Sequence, residues 1–398
     1  MKRYDLITPE GTKDILFEDC LIRRQVEDNM RMIFSGMGYS EVVTPGIEFY
    51  DVFNLNSRHF PQEILYKLTD SKGRLIVLRP DSTMPIARIA ATRLREADLP
   101  LRLFYSQSVY LANRSMTGKS DEIVQMGIEL IGSNSKKADL EVLSTAVEVL
   151  SFCDSEKFRL EIGDIGFFRE LVSQLDVDLI TAENIRTLIE VKNYPALNDL
   201  LDSIGDNSAT RALKQLPRLF GGEEVFEKAS KLFCDEKIEK ILSNLKSVYN
   251  DLSKLGCNGK ITVDLGIVNR TDYYTGIVMK GYLQGYGEEV LSGGRYDKLL
   301  SEFGYDVPAT GFAVNIDAVA DFKKKKEDCK CKIPDAIVFA EKGFEMEALM
   351  RCREMKKNGL VVENSVFHSL EETQRYAQKK GISKVIVVNG SSGGNGNV

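Results

Sequence analysis

At 398 residues the chain is long enough for two or three domains, and 43% hydrophobic with 28% charged residues is the balance of an ordinary globular protein. A net charge of −6 argues against a general nucleic-acid binder, and no apolar run approaches the roughly 20 residues of a membrane span. Seven cysteines at scattered spacing point to a reducing, cytoplasmic setting without a disulfide framework, and the polar start Met1–Asp5 does not read as a signal peptide. Two histidines far apart, His59 and His368, exclude a His-based triad or metal centre, and the pair Cys329 and Cys331 is too few for zinc. Neither a metal nor a cofactor is expected.

In chain order, Thr8 to Asp14 is turn chemistry set by Pro9 and Gly11. The spacing of Leu21, Ile22, Val26, Met30, Ile33 and Phe34 predicts an amphipathic helix over about 18–35. Ser40 to Thr44 reads as a strand stopped by Pro45, and Tyr66 to Leu78 as a hairpin turning at Asp70–Gly73. Arg79, Asp81 and Thr83 fall where that strand gives way to a helix. Asp81, Ser82 or Thr83 could cap the helix, or the carboxylate and hydroxyl could meet an amine-bearing ligand. Two antiparallel strands follow, 101–111 and 123–131. In the second, Gln125 and Glu129 share one face with Gly127 between them, so either a ligand or another group sits over the glycine, or that face meets solvent.

A helix over 139–152 and a strand over 158–162 lead into helix after helix from about 165 to 256, an apparent insertion with a slight acidic excess. The stretch Val263–Asp297 then carries seven glycines and five tyrosines in two strand-like runs, read either as a plain hairpin or as a small-ligand site. After a strand and helix at about 308–320, the basic run Lys323–Lys332 reads as a solvated linker. The expected division is a core over 1–322, a linker over 323–333, a βαβαβ unit over 334–390 and a disordered tail over 391–398.

Taken together the motifs resemble histidyl-tRNA synthetase, a class II aminoacyl-tRNA synthetase, over nearly the whole chain. P-E-G-T-K-D, G-Y-S-E-V-V-T-P, L-R-P-D-S-T, Q-M-G-I-E-L-I-G, D-Y-Y-T-G, G-G-R-Y-D and P-A-T-G-F-A follow in the family's order. The resemblance implies an α+β fold: an antiparallel sheet flanked by helices, with the helical insertion and a small C-terminal α/β domain. It also implies a histidine pocket at Asp81, which stands where the family has Glu, and at Thr83, Gln125, Glu129, Tyr273 and Tyr274. Three of the family's catalytic arginines fall on Leu111, Asn269 and Ala318, while the later arginine of the second motif is kept as Arg114 and Arg270 stands one residue past Asn269. Adenylyl transfer gathers negative charge on phosphate oxygens that fixed cations must stabilise, so their loss should abolish the chemistry.

A synthetase fold that keeps the amino-acid pocket and loses its phosphate cations resembles the regulatory subunits of ATP phosphoribosyltransferase. That resemblance implies no catalytic residues, a homodimeric core, and a hetero-oligomer with the short-form catalytic subunit in the first step of histidine biosynthesis. Histidine is the implied ligand, in feedback, and no tRNA or membrane partner is expected. An active histidyl-tRNA synthetase and another synthetase-like amino-acid sensor are the alternatives.

Overall fold

The computed structural model describes residues 3–55, 60–113, 120–233, 235–257, 259–268, 273–326 and 329–390. The chain divides into two compact units, Met1–Glu327 and Asp328–Val398.

The first unit is built on a nine-stranded mixed sheet. Its centre is six antiparallel strands, in spatial order Leu101–Tyr110, Glu122–Ile131, Ala309–Asn315, Glu289–Arg295, Ile277–Leu283 and Phe158–Asp164. Short strands extend both edges: Ser40–Glu41 runs parallel to Leu101–Tyr110, and Ile261–Asp264 runs parallel to Phe158–Asp164. Helices Phe17–Gly36, Lys136–Cys153 and Ile316–Lys326 pack on the sheet. Phe34 of the first meets Phe104 and Phe312 with ring centroids 5.8 and 6.0 Å away. Strand alternation places Met126, Ile128 and Leu130 on one face of the sheet and Gln125, Gly127 and Glu129 on the other. That second face is where the polar side chains converge.

Six helices, from Ile165–Ser173 to Glu236–Ser253, lie between the parallel strands Phe158–Asp164 and Ile261–Asp264. Local chemistry starts several of them: Asp178 accepts from Thr181 N at 2.7 Å, Asn207 forms a capping box with Thr210, and Asp235 accepts from Lys237 N at 2.8 Å. Leu171, Ile185, Leu197, Leu201, Leu213, Leu242 and Leu245 are buried among them. A separate three-stranded antiparallel sheet joins Ile47–Phe49, Leu75–Leu78 and Lys67–Thr69.

The second unit is a three-stranded parallel sheet, ordered Val362–Asn364, Ala336–Ala340, Val385–Val388, with helices Glu345–Lys357 and Leu370–Lys380 as crossovers. Ser369 and Glu372 cap the second helix reciprocally, and Gly381, at φ 75°, closes it.

Two elements differ from the sequence reading. The strand expected over 40–44 ends at Glu41, because Thr44 leaves the ladder: its N–H is donated to Gln107 Oε1 at 3.3 Å and its carbonyl accepts from Arg79 at 2.7 Å. The linker expected from Lys323 begins later, because Lys323–Lys326 are the last turn of Ile316–Lys326. Cations in a last turn sit at the negative end of the helix dipole. Here Lys324 pairs with Asp19 at 2.5 Å, Lys326 with Asp154, and Lys323 lies 4.5 Å above the Phe152 ring. The tail from 391 lies outside the described residues.

Candidate functional site

All six pocket residues expected from the sequence line one cavity of about 170 Å³. Asp81 and Thr83 enter from the junction between the strand Leu75–Leu78 and the helix Thr83–Ala91. Asp81 also caps that helix, accepting from Met84 N at 2.8 Å, as the capping reading of this position expects. Arg79 fixes the junction from behind, donating to Ser108 O at 2.6 Å, Thr44 O at 2.7 Å and Gln107 Oε1 at 2.8 Å. Gln125 and Glu129 rise from the sheet, and Tyr273 and Tyr274 close the side, their rings 4.8 Å apart.

Register makes room for these groups. Tyr105 pairs with Gly127 across one ladder, and its hydroxyl and ring lie where a Cβ on Gly127 would stand. The group over Gly127 is therefore Tyr105, with its hydroxyl 3.5 Å from Gln125 Oε1. On the other ladder Gly311 pairs with Glu129, and a Cβ there would overlap the Glu129 carboxylate. Only glycine leaves that carboxylate its place.

Glu129 is 1% exposed. Thr83 Oγ1 donates to its Oε1 at 2.8 Å, and the Tyr296 hydroxyl donates to its Oε2. Burial pushes the Glu129 carboxyl up to about 8, against the two hydroxyl donors, with the Asp81 charge adding to the rise. Asp81 opens partly onto the cavity, yet the protein packed around it pushes its carboxyl up to about 6. Burial likewise raises the hydroxyls of Tyr105, Tyr273 and Tyr296 well above the usual phenol range. Two crowded carboxyls and a ring of neutral hydroxyls suit a small cation.

A larger cleft of about 530 Å³ shares Leu111, Gln125, Ser292 and Ala313 with this cavity. Leu111 and Ala318, two of the three positions aligned with the synthetase arginines, stand in its wall. Asn269 lies outside the described residues. The cleft is acidic: Asp121, Glu288, Glu289, Asp317 and Asp321 line it, with Lys13 as the one cation among its described walls. Three of the five carboxylates are already paired, Asp317 with Arg23 at 3.5 Å, Glu289 with Lys280 at 3.0 Å and Asp321 with Lys13 at 4.0 Å. No group of three or more potential metal ligands is found among the described residues.

A histidyl-tRNA synthetase family model matches residues 11–319. The chain is 42% identical to the ATP phosphoribosyltransferase regulatory subunit of Clostridium kluyveri, over 96% of this chain and 98% of that one. The chain belongs to the histidyl-tRNA synthetase family, among the ATP phosphoribosyltransferase regulatory subunits. The structure agrees with a Bacillus halodurans protein described as ATP phosphoribosyltransferase regulatory subunit/histidyl-tRNA synthetase, at TM-score 0.86 and 29% identity, covering 97% and 99% of the two chains. A histidyl-tRNA synthetase from a Nostoc species, 20% identical at TM-score 0.78 and covering 97% and 92%, shares the fold.

Sequence reasoning missed Tyr296, Tyr105 and Ser292. Tyr296 sits inside the quoted motif G-G-R-Y-D, and its ring meets Tyr273 edge-on at 5.7 Å. Its neighbour Arg295 points elsewhere, into a buried ion pair with Asp139 at 2.8 Å.

Proposed function

We propose that the chain acts as the non-catalytic regulatory subunit of ATP phosphoribosyltransferase, pairing with a short catalytic subunit in the first step of histidine biosynthesis and taking part in histidine feedback. The cavity at Asp81, Thr83, Gln125, Glu129, Tyr273 and Tyr274 is the candidate histidine site. A tight amino-acid pocket joined to a cleft lined by five carboxylates, with Leu111 and Ala318 in its wall, carries this reading. Fixed cations are what adenylyl transfer requires, and removing one typically costs hundreds-fold in rate. The acidic excess over 165–256 is a poor surface for a tRNA backbone.

A homodimeric core is part of the proposal. Ile47, Phe49 and Leu68 share one face of the small three-stranded sheet by register, and all three are exposed, as is Val43 at 76%. An apolar face of this kind favours self-association. A cytoplasmic location is proposed too; no described helix is long and apolar enough to cross a membrane.

The test mixes the purified chain with a short-form phosphoribosyltransferase, with and without histidine. The expected result is co-sedimentation, a higher turnover, and a loss of that turnover when histidine is added. Unchanged sedimentation and turnover would remove the partner assignment.

A further inference from the structure

We infer that Ser292 and Asn315 are specificity-determining residues, donating hydrogen bonds from the sheet floor to the carboxylate of the amino acid held in the pocket. This rests on the pocket reading above and adds the side chains that select a carboxylate-bearing ligand. Strand register lays the floor out in rows. Glu129 stands beside Gly311, Gly127 beside Ala313 and Ser292, and Gln125 beside Asn315. Successive rows lie two residues, or about 7 Å, apart along a strand. The first row carries the buried Glu129 carboxyl, and the next two carry only neutral polar tips. Ser292 and Gln125 line both the cavity and the cleft, and Asn315 lines the cleft.

The donors on this floor face outward. Asn315 Oδ1 accepts from Ala318 N at 3.0 Å, which fixes the amide and leaves its Nδ2 for another acceptor. Gln125 Oε1 faces the Tyr105 hydroxyl at 3.5 Å and orients its Nε2 in the same way. Among the described residues no protein group accepts from either amide nitrogen or from the Ser292 hydroxyl. An amino acid with its ammonium toward Asp81 and Glu129 must hold its carboxylate further along the floor, because those two carboxyls repel it. One row on, at a distance comparable to the span of an amino acid, Ser292 is the first donor it meets. Asp317, two residues past Asn315, does not oppose this, since it accepts from Val124 N at 2.7 Å and pairs with Arg23. Hydrogen bonds to a charged acceptor are among the stronger kind.

Calorimetry of the full chain at pH 8 compares L-histidine with L-histidinol, which keeps the ammonium and ring and carries a hydroxymethyl group in place of the carboxylate. The parent chain is set against Ser292→Ala and Asn315→Asp, with thermal melts to show that each variant is folded. Asn315→Asp keeps the acceptor that caps the helix and removes the donor. The parent should bind histidine at least about tenfold tighter than histidinol. Each variant should lose about tenfold or more for histidine and less than about twofold for histidinol. Unchanged histidine affinity in either variant, equal weakening of both ligands, or a parent indifferent between them would overturn the inference and leave the pocket reading intact. A parent that binds neither ligand would overturn the pocket reading and this inference together.

Discussion

The cavity at Glu129 and the cleft beside it share four wall residues and differ in nearly everything else. In the cavity Glu129 is buried, holds two hydroxyl donors and depends on Gly311 for its space, and Tyr105 depends likewise on Gly127. In the cleft two of the positions aligned with the synthetase arginines are Leu111 and Ala318, and the charged groups among its described walls are five carboxylates and Lys13. Binding an amino acid needs only a few well-placed acceptors, whereas activating it needs cations where phosphate charge develops. Selection can therefore abandon the second region and keep the first.

The largest expected effect separates the two regions by packing. Gly127→Val should destabilise the fold by roughly 3 kcal/mol or more, because its side chain would overlap the Tyr105 ring and the Phe312 carbonyl. Leu111→Arg in the cleft should shift stability by no more than about 0.5 kcal/mol. Thermal melts of the two variants compare them, and equal losses would break the contrast.

Next comes Glu129→Gln, which should weaken ligand binding about a hundredfold by calorimetry, as expected for a lost charge-assisted contact. The same change should not cost stability at alkaline pH. The folded Glu129 carboxyl titrates at about 8 rather than near 4.5, so its contribution is fully present below pH 4.5 and is lost as pH rises through 8. Melting temperatures from pH 5 to 8.5 should fall further for the parent chain than for Glu129→Gln. Parallel curves would contradict the burial argument. Because an ammonium ligand requires ionised carboxyls, its affinity should rise as pH climbs from 6 to about 8.

A smaller effect is expected at Tyr296→Phe. Losing the hydroxyl that donates to Glu129 should weaken binding about tenfold and raise the pH at which binding sets in. Unchanged affinity would make Tyr296 a packing residue only.

Much of this site was legible in the sequence, for reasons particular to its elements. Period-2 alternation put Gln125 and Glu129 on one face, and the strand-to-helix junction put Asp81 and Thr83 at a helix start. Tyr105 and Tyr296 were not legible: Tyr105 depends on the exact register of its strand against Gly127, and Tyr296 on a carboxylate 167 residues away in the chain. A quoted motif names Tyr296 but not the carboxylate it meets. The lysine run at 323–326 was misread for a related reason: its helix is held by Asp19, Asp154 and Phe152, all distant in sequence.

The central claim is that the pocket persists and the adenylylation chemistry is gone. Histidine-dependent exchange of pyrophosphate into ATP, measured on the purified full chain, tests it most directly. No exchange above background is predicted, even at saturating histidine and magnesium-ATP. Exchange that depends on both histidine and ATP would contradict it.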